Sequence, residues 1–418
     1  IVGRITDASG AVVPGADVRA TNAATGVVAS SKTNESGNYT LPYLTPGIYS
    51  VSSEATGFKK FVRDNIQVRI TDSVELNIQM AVGDVTEAVQ VTAESPLLQT
   101  TEASLGQVVD ERRVLELPLF SGNAMEFALL APGTVNGTDM RLRKAPFNNA
   151  PSQFSTDGTP LFQNEFTIDG VANTFSDGTN VRVAFSPPQA SIAEFKMQTS
   201  AFDAAYGHTV GSLVNVSTKG GTNEIHGSAW WWLRHSKLDT PTIFQNRSGQ
   251  KLPVYRDNRY GLAGGGPIVI PRLYNGKNKT FWHFTWEANK FGDPAGSYTS
   301  TVPRANWKTG DLSDLLRLGA NYQIYDPATI AVAPNGRFSR QPIPGNIIPA
   351  GRIDPIAKKI LDLYPLQNQP AVATADGRNN FFMPGKALED YWTTIGRVDH
   401  AFSDKDRMFV RFHRDFWE

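Results

Sequence analysis

Alternation of apolar and polar side chains is the clearest pattern in the chain after residue 222. In Phe281–Ala288 both tryptophans and Phe284 fall on one face, whereas His283, Thr285 and Glu287 fall on the other. The same period of two recurs in Gly227–Ser236, Arg259–Pro267, Tyr391–His400 and Arg407–Phe416. Strands of about ten residues with one aromatic-rich face are typical of transmembrane β-barrels, although a half-buried soluble sheet also alternates.

Residues 1–82 contain short apolar runs separated by frequent turn signals. Asp7-Ala8-Ser9-Gly10 and Asn34-Glu35-Ser36-Gly37 are two of these turns, and Val74–Met80 alternates apolar and polar residues. Many short alternating strands predict a small antiparallel β-sandwich. The segment holds no cluster of titratable side chains, which favours a stalk or adaptor module.

Residues 83–222 combine strand and helix patterns with long loops. The pattern predicts strands at Val85–Thr92, Phe166–Ile168, Phe195–Thr199 and Val210–Thr218, and a short helix at Ala124–Leu130. Residues 134–160 are rich in Gly, Asn, Pro and Thr, which predicts a long loop. We therefore expect a small mixed α/β domain.

Two family resemblances rest on specific segments. In the first unit the segments are Gly3-Arg4-Ile5-Thr6-Asp7, Pro14-Gly15-Ala16-Asp17-Val18, Thr33–Tyr39 and Leu44–Tyr49. They resemble the carboxypeptidase regulatory-like family, a noncatalytic, transthyretin-like β-sandwich. In the second unit the segments are Ile168-Asp169-Gly170-Val171, Ile192–Lys196 and Val214–Asn223. They are similar to the plug domain of TonB-dependent outer-membrane receptors.

These resemblances imply a mainly β fold in three parts. The parts are a transthyretin-like sandwich at 1–82, a small α/β plug domain at 83–222, and the first strands of a transmembrane β-barrel at 223–418. Residues 290–390, which show little strand pattern, would form a long extracellular loop with one short helix at Ile356–Leu363. Because a barrel wide enough for a plug needs about twenty-two strands, five strands predict an incomplete, open sheet and the N-terminal part of a longer chain.

One segment between the first two units is a candidate for energy coupling. It consists of Val85, Thr86, Glu87, Ala88, Val89, Gln90 and Val91. In the receptors that this chain resembles, a short segment at this position is captured by a periplasmic TonB-like protein through β-strand addition. An ordinary strand of the plug is the alternative interpretation.

The net charge of zero is a cancellation between unlike segments. Residues 1–82 carry seven basic and seven acidic side chains, residues 83–222 carry eight and fifteen, and residues 223–418 carry twenty-five and eighteen. An acidic plug would therefore face a basic barrel lumen. The absence of an overall basic excess argues against a nucleic-acid binder. The absence of cysteine excludes disulfides and thiolate chemistry.

No motif in the sequence predicts catalysis, a cofactor or a metal site. The six histidines form no H-E-x-x-H pair, and neither a phosphate-binding loop nor a G-x-S-x-G elbow is present. The glycines around 261–266 are interpreted as small residues where another strand comes close. We therefore predict a protein that is not an enzyme.

The leading hypothesis is a receptor or transporter of the bacterial outer membrane, in contact with its lipid. Such a protein takes up an extracellular solute with energy from the inner membrane, and its sandwich lies in the periplasm. The alternative is a cell-surface binding or adhesion protein without transport activity. Glycans, peptides and metal chelates are equally compatible with loops 134–160, 172–188 and 290–390.

Overall fold

The computed structural model divides into two compact units. One unit comprises Ile1–Leu233, Asn258–Lys290 and Asp390–Glu418, and the other comprises Arg234–Asp257 and Phe291–Glu389. The structure describes residues 1–83, 88–90, 105–117, 119, 122–137, 153–177, 180–199, 207–247, 255–293, 298–369, 376–383 and 387–418.

Residues 1–83 and 88–90, here called the N-terminal module, form two sheets around one core. The strands are β1 (Val2–Asp7), β2 (Asp17–Asn22), β3 (Val28–Lys32), β4 (Asn38–Thr40), β5 (Gly47–Glu54), β6 (Lys60–Val68), β7 (Ile78–Met80) and β8 (Ala88–Gln90). One sheet has the order β4-β1-β7 and the other β3-β2-β5-β6-β8. Val74, Leu76, Ile78 and Met80 are all buried in the shared core, which confirms the alternation predicted for this run.

The prediction of an antiparallel module at residues 1–82 is wrong at one strand pair, and a strand beyond residue 82 also joins the module in parallel. β7 runs parallel to β1, and β8 runs parallel to β6. Each of these strands reaches its partner through a connection much longer than a hairpin, so the chain direction need not reverse. The buried Tyr39 hydroxyl donates a hydrogen bond of 2.7 Å to the Leu76 carbonyl, which links the β4 and β7 ends of the smaller sheet.

The described residues between 105 and 218, here called the central module, are built on one mixed sheet. Its helix and strands are β9 (Leu105–Asp110), α1 (Glu111–Glu116), β10 (Thr134–Asn136), β11 (Phe154–Thr156), β12 (Glu165–Ile168), β13 (Val171–Ala172), β14 (Thr174–Asp177), β15 (Asn180–Val183), β16 (Ile192–Thr199) and β17 (Leu213–Thr218). The sheet order is β13-β12-β17-β16-β9, and only β12 and β17 pair in parallel. The helix predicted at Ala124–Leu130 is present as a 3-10 helix whose Asn123 side chain caps the Met125 amide.

Five of the eleven described strands after residue 222 form one sheet, here called the C-terminal sheet. The strands after residue 222 are β18 (His226–His235), β19 (Arg256–Pro267), β20 (Val269–Ile270), β21 (Tyr274–Asn275), β22 (Thr280–Asp293), β23 (Tyr298–Ser300), β24 (Ala331–Val332), β25 (Phe338–Ser339), β26 (Phe381–Met383), β27 (Ala387–Ala401) and β28 (Arg407–Trp417). The sheet order is β18-β19-β22-β27-β28, so the sheet is open, as predicted, with β18 and β28 at its edges. The pair β27–β28 is antiparallel over eleven residue pairs.

The polar face of the C-terminal sheet is the buried face. In β22, His283, Thr285 and Glu287 are at most 6% exposed, whereas Phe284 between them is 39% exposed. Phe412 of β28 is 62% exposed. The buried face packs on the central module, whose core cluster extends to Ile395 of β27. This arrangement is the reverse of a half-buried sheet in water, where the apolar face is covered.

The second unit consists of short elements held by polar contacts. Its α-helices are α2 (Ile243–Arg247) and α3 (Pro355–Leu363), and α3 confirms the helix predicted at this position. Its 3-10 helices are Trp307–Thr309, Ser313–Leu318, Ala320–Tyr322, Pro327–Thr329, Pro344–Asn346 and Ala350–Arg352. The buried Asn346 side chain accepts from the Ile324 amide at 2.8 Å and donates to the Tyr322 carbonyl at 2.8 Å. Among the described residues, no helix combines the length and the apolar character needed to cross a membrane.

A substitution at Gly221 tests the packing between β17 and the C-terminal sheet. A Cβ added there would lie 2.5 Å from the Trp282 carbonyl oxygen and 2.7 Å from that of Gly266. Since backbone atoms cannot move aside as a side chain does, Gly221→Ala is expected to lower the free energy of unfolding by roughly 1–3 kcal/mol. Urea unfolding in detergent micelles, followed by tryptophan fluorescence, measures this. Gly207→Ala is the matched control, because its added Cβ meets nothing within 4 Å; equal losses in both variants would contradict the prediction.

Candidate functional site at the Asp169 turn

The segment Ile168-Asp169-Gly170-Val171 forms a two-residue hairpin turn between β12 and β13. Ile168 pairs with Val171 across the turn. The two central residues both have positive φ, 50° for Asp169 and 78° for Gly170. Asp-Gly is a preferred sequence for such turns, because glycine adopts positive φ freely and aspartate tolerates it. Ile168 is buried in the core of the central module, whereas Val171 is exposed.

The Asp169 carboxylate is tied first to the end of the neighbouring strand. It accepts hydrogen bonds from the Thr218 amide at 2.8 Å and from the Thr218 hydroxyl at 2.7 Å. Thr218 is the last residue of β17, which pairs in parallel with β12. The parallel pairing therefore brings the turn and the end of β17 to the same edge of the central sheet.

Two arginines of the C-terminal sheet meet the same carboxylate. Arg397 of β27 and Arg411 of β28 are directly opposite partners in the antiparallel register. The Arg397 Nη1 atom lies 3.1 Å from Asp169 Oδ1, and Arg411 Nη1 donates to Asp169 Oδ2. The side chains of Asp169 and Arg397 are about 95% buried, and that of Arg411 is 18% exposed.

The remaining donors of Arg397 are also satisfied. Its Nε and Nη2 atoms donate to Asp399 at 3.0 and 2.8 Å, and its Nη1 atom donates to the Thr218 carbonyl at 3.1 Å. Its guanidinium carbon lies 4.4 Å from the centre of the Phe409 ring. We call Asp169, Thr218, Arg397, Asp399 and Arg411 the Asp169 cluster. It contains two positive and two negative side chains, so its formal charge is zero.

Charge balance is what makes this buried cluster tolerable. Two arginines directly opposite each other on one sheet face repel, and Asp169 lies against both of them. Breaking a buried pair by removing one partner typically costs about 3–5 kcal/mol, because an unpaired charge stays buried. The Asp169 cluster is therefore a specific joint between the central module and the C-terminal sheet.

A second buried joint connects the N-terminal module to the central module. The Nζ atom of Lys196, in β16, lies 2.8 Å from the Oδ1 atom of Asp72, and both side chains are at most 6% exposed. The Glu194 carboxylate accepts a 2.7 Å hydrogen bond from the Ile70 amide. Burial raises the pKa of Glu194, and Asp72 raises it further, while the Ile70 hydrogen bond, Arg69 and Lys196 oppose the shift.

The candidate coupling segment is only partly described. Val85, Thr86, Glu87 and Val91 lie outside the described residues. Ala88, Val89 and Gln90 form β8, which pairs with the start of β6 in the N-terminal module. The structure thus separates the described members of the two sets of predicted site residues: Ala88–Gln90 join the N-terminal module, and the Ile168–Val171 motif faces the C-terminal sheet.

Sequence comparisons agree with both ends of this architecture. Residues 217–417 match the Outer membrane beta barrel domain family, and residues 1–81 match the Carboxypeptidase regulatory-like domain family. The TonB-dependent transporter Oar of Myxococcus xanthus is 26% identical over 291 residues, which are 66% of this chain and 26% of that protein. The chain is a homologue of TonB-dependent transporters.

This TonB-dependent transporter homologue is located in the bacterial outer membrane, as predicted. It spans about a quarter of the length of its Myxococcus relative. The outer membrane transporter YddB of Escherichia coli is similar at 11% identity and a TM-score of 0.38, over 72% of this chain and 31% of YddB. The siderophore receptor PirA of Acinetobacter baumannii is similar at 13% identity and a TM-score of 0.37, over 74% of this chain and 31% of PirA.

Sequence reasoning singled out Asp169 in this homologue but not its partners. Arg397 and Arg411 fall within the alternating segments Tyr391–His400 and Arg407–Phe416, but the pattern does not identify them as site residues. Two arginines on the polar faces of consecutive strands are a detectable signal, because such charges need an acidic partner. In the described part of the chain, no group of three or more His, Asp or Glu side chains has the geometry to hold a metal ion.

Asp169→Asn tests the joint without removing the turn. Asparagine tolerates positive φ, so the hairpin is retained while the charge facing Arg397 and Arg411 is lost. We expect the free energy of unfolding to fall by about 3–5 kcal/mol, measured by urea titration in micelles. Asp157→Asn is the matched control, since Asp157 also has a φ of 50°, precedes a glycine and is exposed. Similar losses in the two variants would show that the buried charge is not what matters.

The raised pKa of Glu194 predicts a pH-dependent joint between the N-terminal and central modules. A carboxyl whose folded pKa exceeds its unfolded value of about 4.3 favours folding fully below that value, and this contribution is lost as the pH rises through the folded pKa. The unfolding free energy of the wild type relative to Glu194→Gln should therefore decrease as the pH is raised from about 4. Paired urea titrations across this range measure the difference. A difference that is constant with pH would refute the prediction.

Proposed function

We propose that this chain is part of an outer-membrane receptor that admits an extracellular solute when its central module, acting as a plug, is remodelled. Energy reaches the plug from the inner membrane through a periplasmic TonB-like protein. The observation that carries this proposal is the Asp169 cluster, in which a turn of the central module is bound by two arginines on the buried face of the C-terminal sheet.

The polar character of this interface supports a plug that can move. Besides the Asp169 cluster, the interface includes Phe185 of the central module stacked on His413 of β28, with ring centres 4.0 Å apart. Polar groups regain hydrogen bonds to water when they separate, whereas separated apolar surfaces do not. The excess of acidic residues in 83–222 and of basic residues in 223–418 attracts the two parts to each other. This attraction favours the state in which the central module is packed against the C-terminal sheet.

The exposed face of the C-terminal sheet supports contact with lipid. Trp231 of β18, Val398 of β27 and Phe412 of β28 are all exposed. Lipid covers such side chains without a loss of hydrophobic stabilisation. From the resemblance to TonB-dependent receptors, we further propose that the N-terminal module lies in the periplasm and that the region 290–390 is extracellular.

A proline substitution in the coupling segment tests energy coupling. Val89→Pro removes a backbone donor needed for strand addition, and Val89→Ala keeps it. We expect cells carrying Val89→Pro, or a deletion of residues 84–91, to bind the solute but to lose its uptake, while Val89→Ala retains both. Growth on single glycans, peptides and metal chelates, compared between the wild type and a strain lacking the gene, first identifies the solute used in this assay.

Three outcomes decide between the candidate functions. Uptake lost with binding retained supports energy-coupled transport. Uptake that continues in both the Val89→Pro and deletion strains contradicts coupling through this segment. Binding without uptake in the wild type itself favours the alternative, a cell-surface binding or adhesion protein.

A further inference from the structure

The described part of the segment that the proposed function assigns to energy coupling is the strand β8 of the N-terminal module. Ala88, Val89 and Gln90 pair in parallel with Lys60, Phe61 and Val62 respectively. β8 is the outermost strand of the sheet β3-β2-β5-β6-β8. Gly83, five residues before β8, is held near the start of β6. Its amide donates to the carbonyl of Gly57 at 3.1 Å, and Gly57 lies three residues before β6 begins.

We propose that the edge of β6 is a docking site for the chain's own coupling segment, and that β8 must leave this edge before a pull on the segment reaches the central module. This inference rests on the proposed function. While β8 is paired with β6, a force applied to residues 85–91 is borne by the N-terminal module. Only after release does the force pass along the chain to β9, where the central sheet begins.

The N-terminal module is anchored firmly enough to bear such a force. It is joined to the central module by the buried Asp72–Lys196 pair and by the bond from Ile70 to Glu194. It also meets the C-terminal sheet, where the Asn223 amide donates to the Ala24 carbonyl at 3.1 Å and the Ser30 amide donates to the Asp404 carbonyl at 3.3 Å.

The docking of β8 is weak by comparison, which suits a contact that opens. It consists of three residue pairs in a parallel ladder, the less stable arrangement per residue. The nearby tether at Gly83 keeps the released segment at a high effective concentration near β6, so docking is restored when the force ends. The pairing of β8 with β6 can therefore open under force and form again afterwards, while the N-terminal module stays in place. We call this reversible pairing the clutch.

A disulfide that locks β8 to β6 tests the clutch in a chain that has no natural cysteine. Val62→Cys with Gln90→Cys places the thiols on paired residues of adjacent strands, which lie about 4.8 Å apart and within the range that a disulfide spans. Arg19→Cys with Ser30→Cys is the matched control. It cross-links β2 to β3 of the same module and leaves β8 free.

The measurement is force spectroscopy on the full chain in lipid nanodiscs, with the soluble domain of a TonB-like protein on the cantilever as the probe. We expect the oxidised Val62→Cys/Gln90→Cys protein to detach from the probe without extending. The same protein after reduction, and the oxidised control, should lengthen as the central module yields. Because the locked and unlocked forms are one protein, recovery on reduction separates locking from misfolding.

The outcomes distinguish this inference from the proposed function. Equal extension in the oxidised and reduced forms overturns the clutch while leaving coupling through the segment intact. Failure of the probe to bind the wild type, or equal binding to a chain lacking residues 84–91, overturns the proposed function and the clutch with it. A second pair, Lys60→Cys with Ala88→Cys, must give the same result as the first.

Discussion

The reversed burial of the C-terminal sheet is the constraint on which the rest of the first unit depends. Its aromatic face is exposed, and its polar face, including His283, Thr285 and Glu287, is covered. In water this arrangement would sacrifice hydrophobic stabilisation, whereas lipid covers the apolar face without that loss. Whatever packs on the inner face must then match hydrogen-bonding and charged groups, and apolar shape complementarity alone is not sufficient.

The Asp169 cluster is the most demanding case of that matching. Placing Arg397 opposite Arg411 creates a local charge of two on a covered surface. Asp399 offsets part of it from within β27, and Asp169 offsets the rest from the central module. The charges on this sheet face are thus balanced only when the central module packs against it. This requirement fixes the relative position of the two parts, which a nonspecific apolar contact would not do.

Local patterns in the sequence were sufficient to predict the strands of the C-terminal sheet and the strand that ends at the Asp169 turn. A period of two and an Asp-Gly dipeptide each act over a few residues. The partners of Asp169 were not predictable in this way, because Arg397 and Arg411 lie 228 and 242 residues further along the chain. The parallel placement of β7 and β8 was missed for a related reason. Alternation identifies a strand but carries no information about its direction or its neighbour.

The order of these contacts along the chain also ranks them by strength. Under the proposed coupling, a pull on β8 first loads the three parallel residue pairs at β6, and after their release it passes along the chain to β9 and the central module, which the Asp169 cluster holds. Backbone pairs at a sheet edge exchange readily with water, whereas a buried ion pair leaves an unpaired charge if it breaks. In the proposed coupling, the weakest contact therefore lies nearest the applied force, and the charged contact between the central module and the C-terminal sheet lies furthest from it. In such a series the early contact yields without disturbing the later one, so a transient separation of β8 from β6 leaves the Asp169 cluster intact.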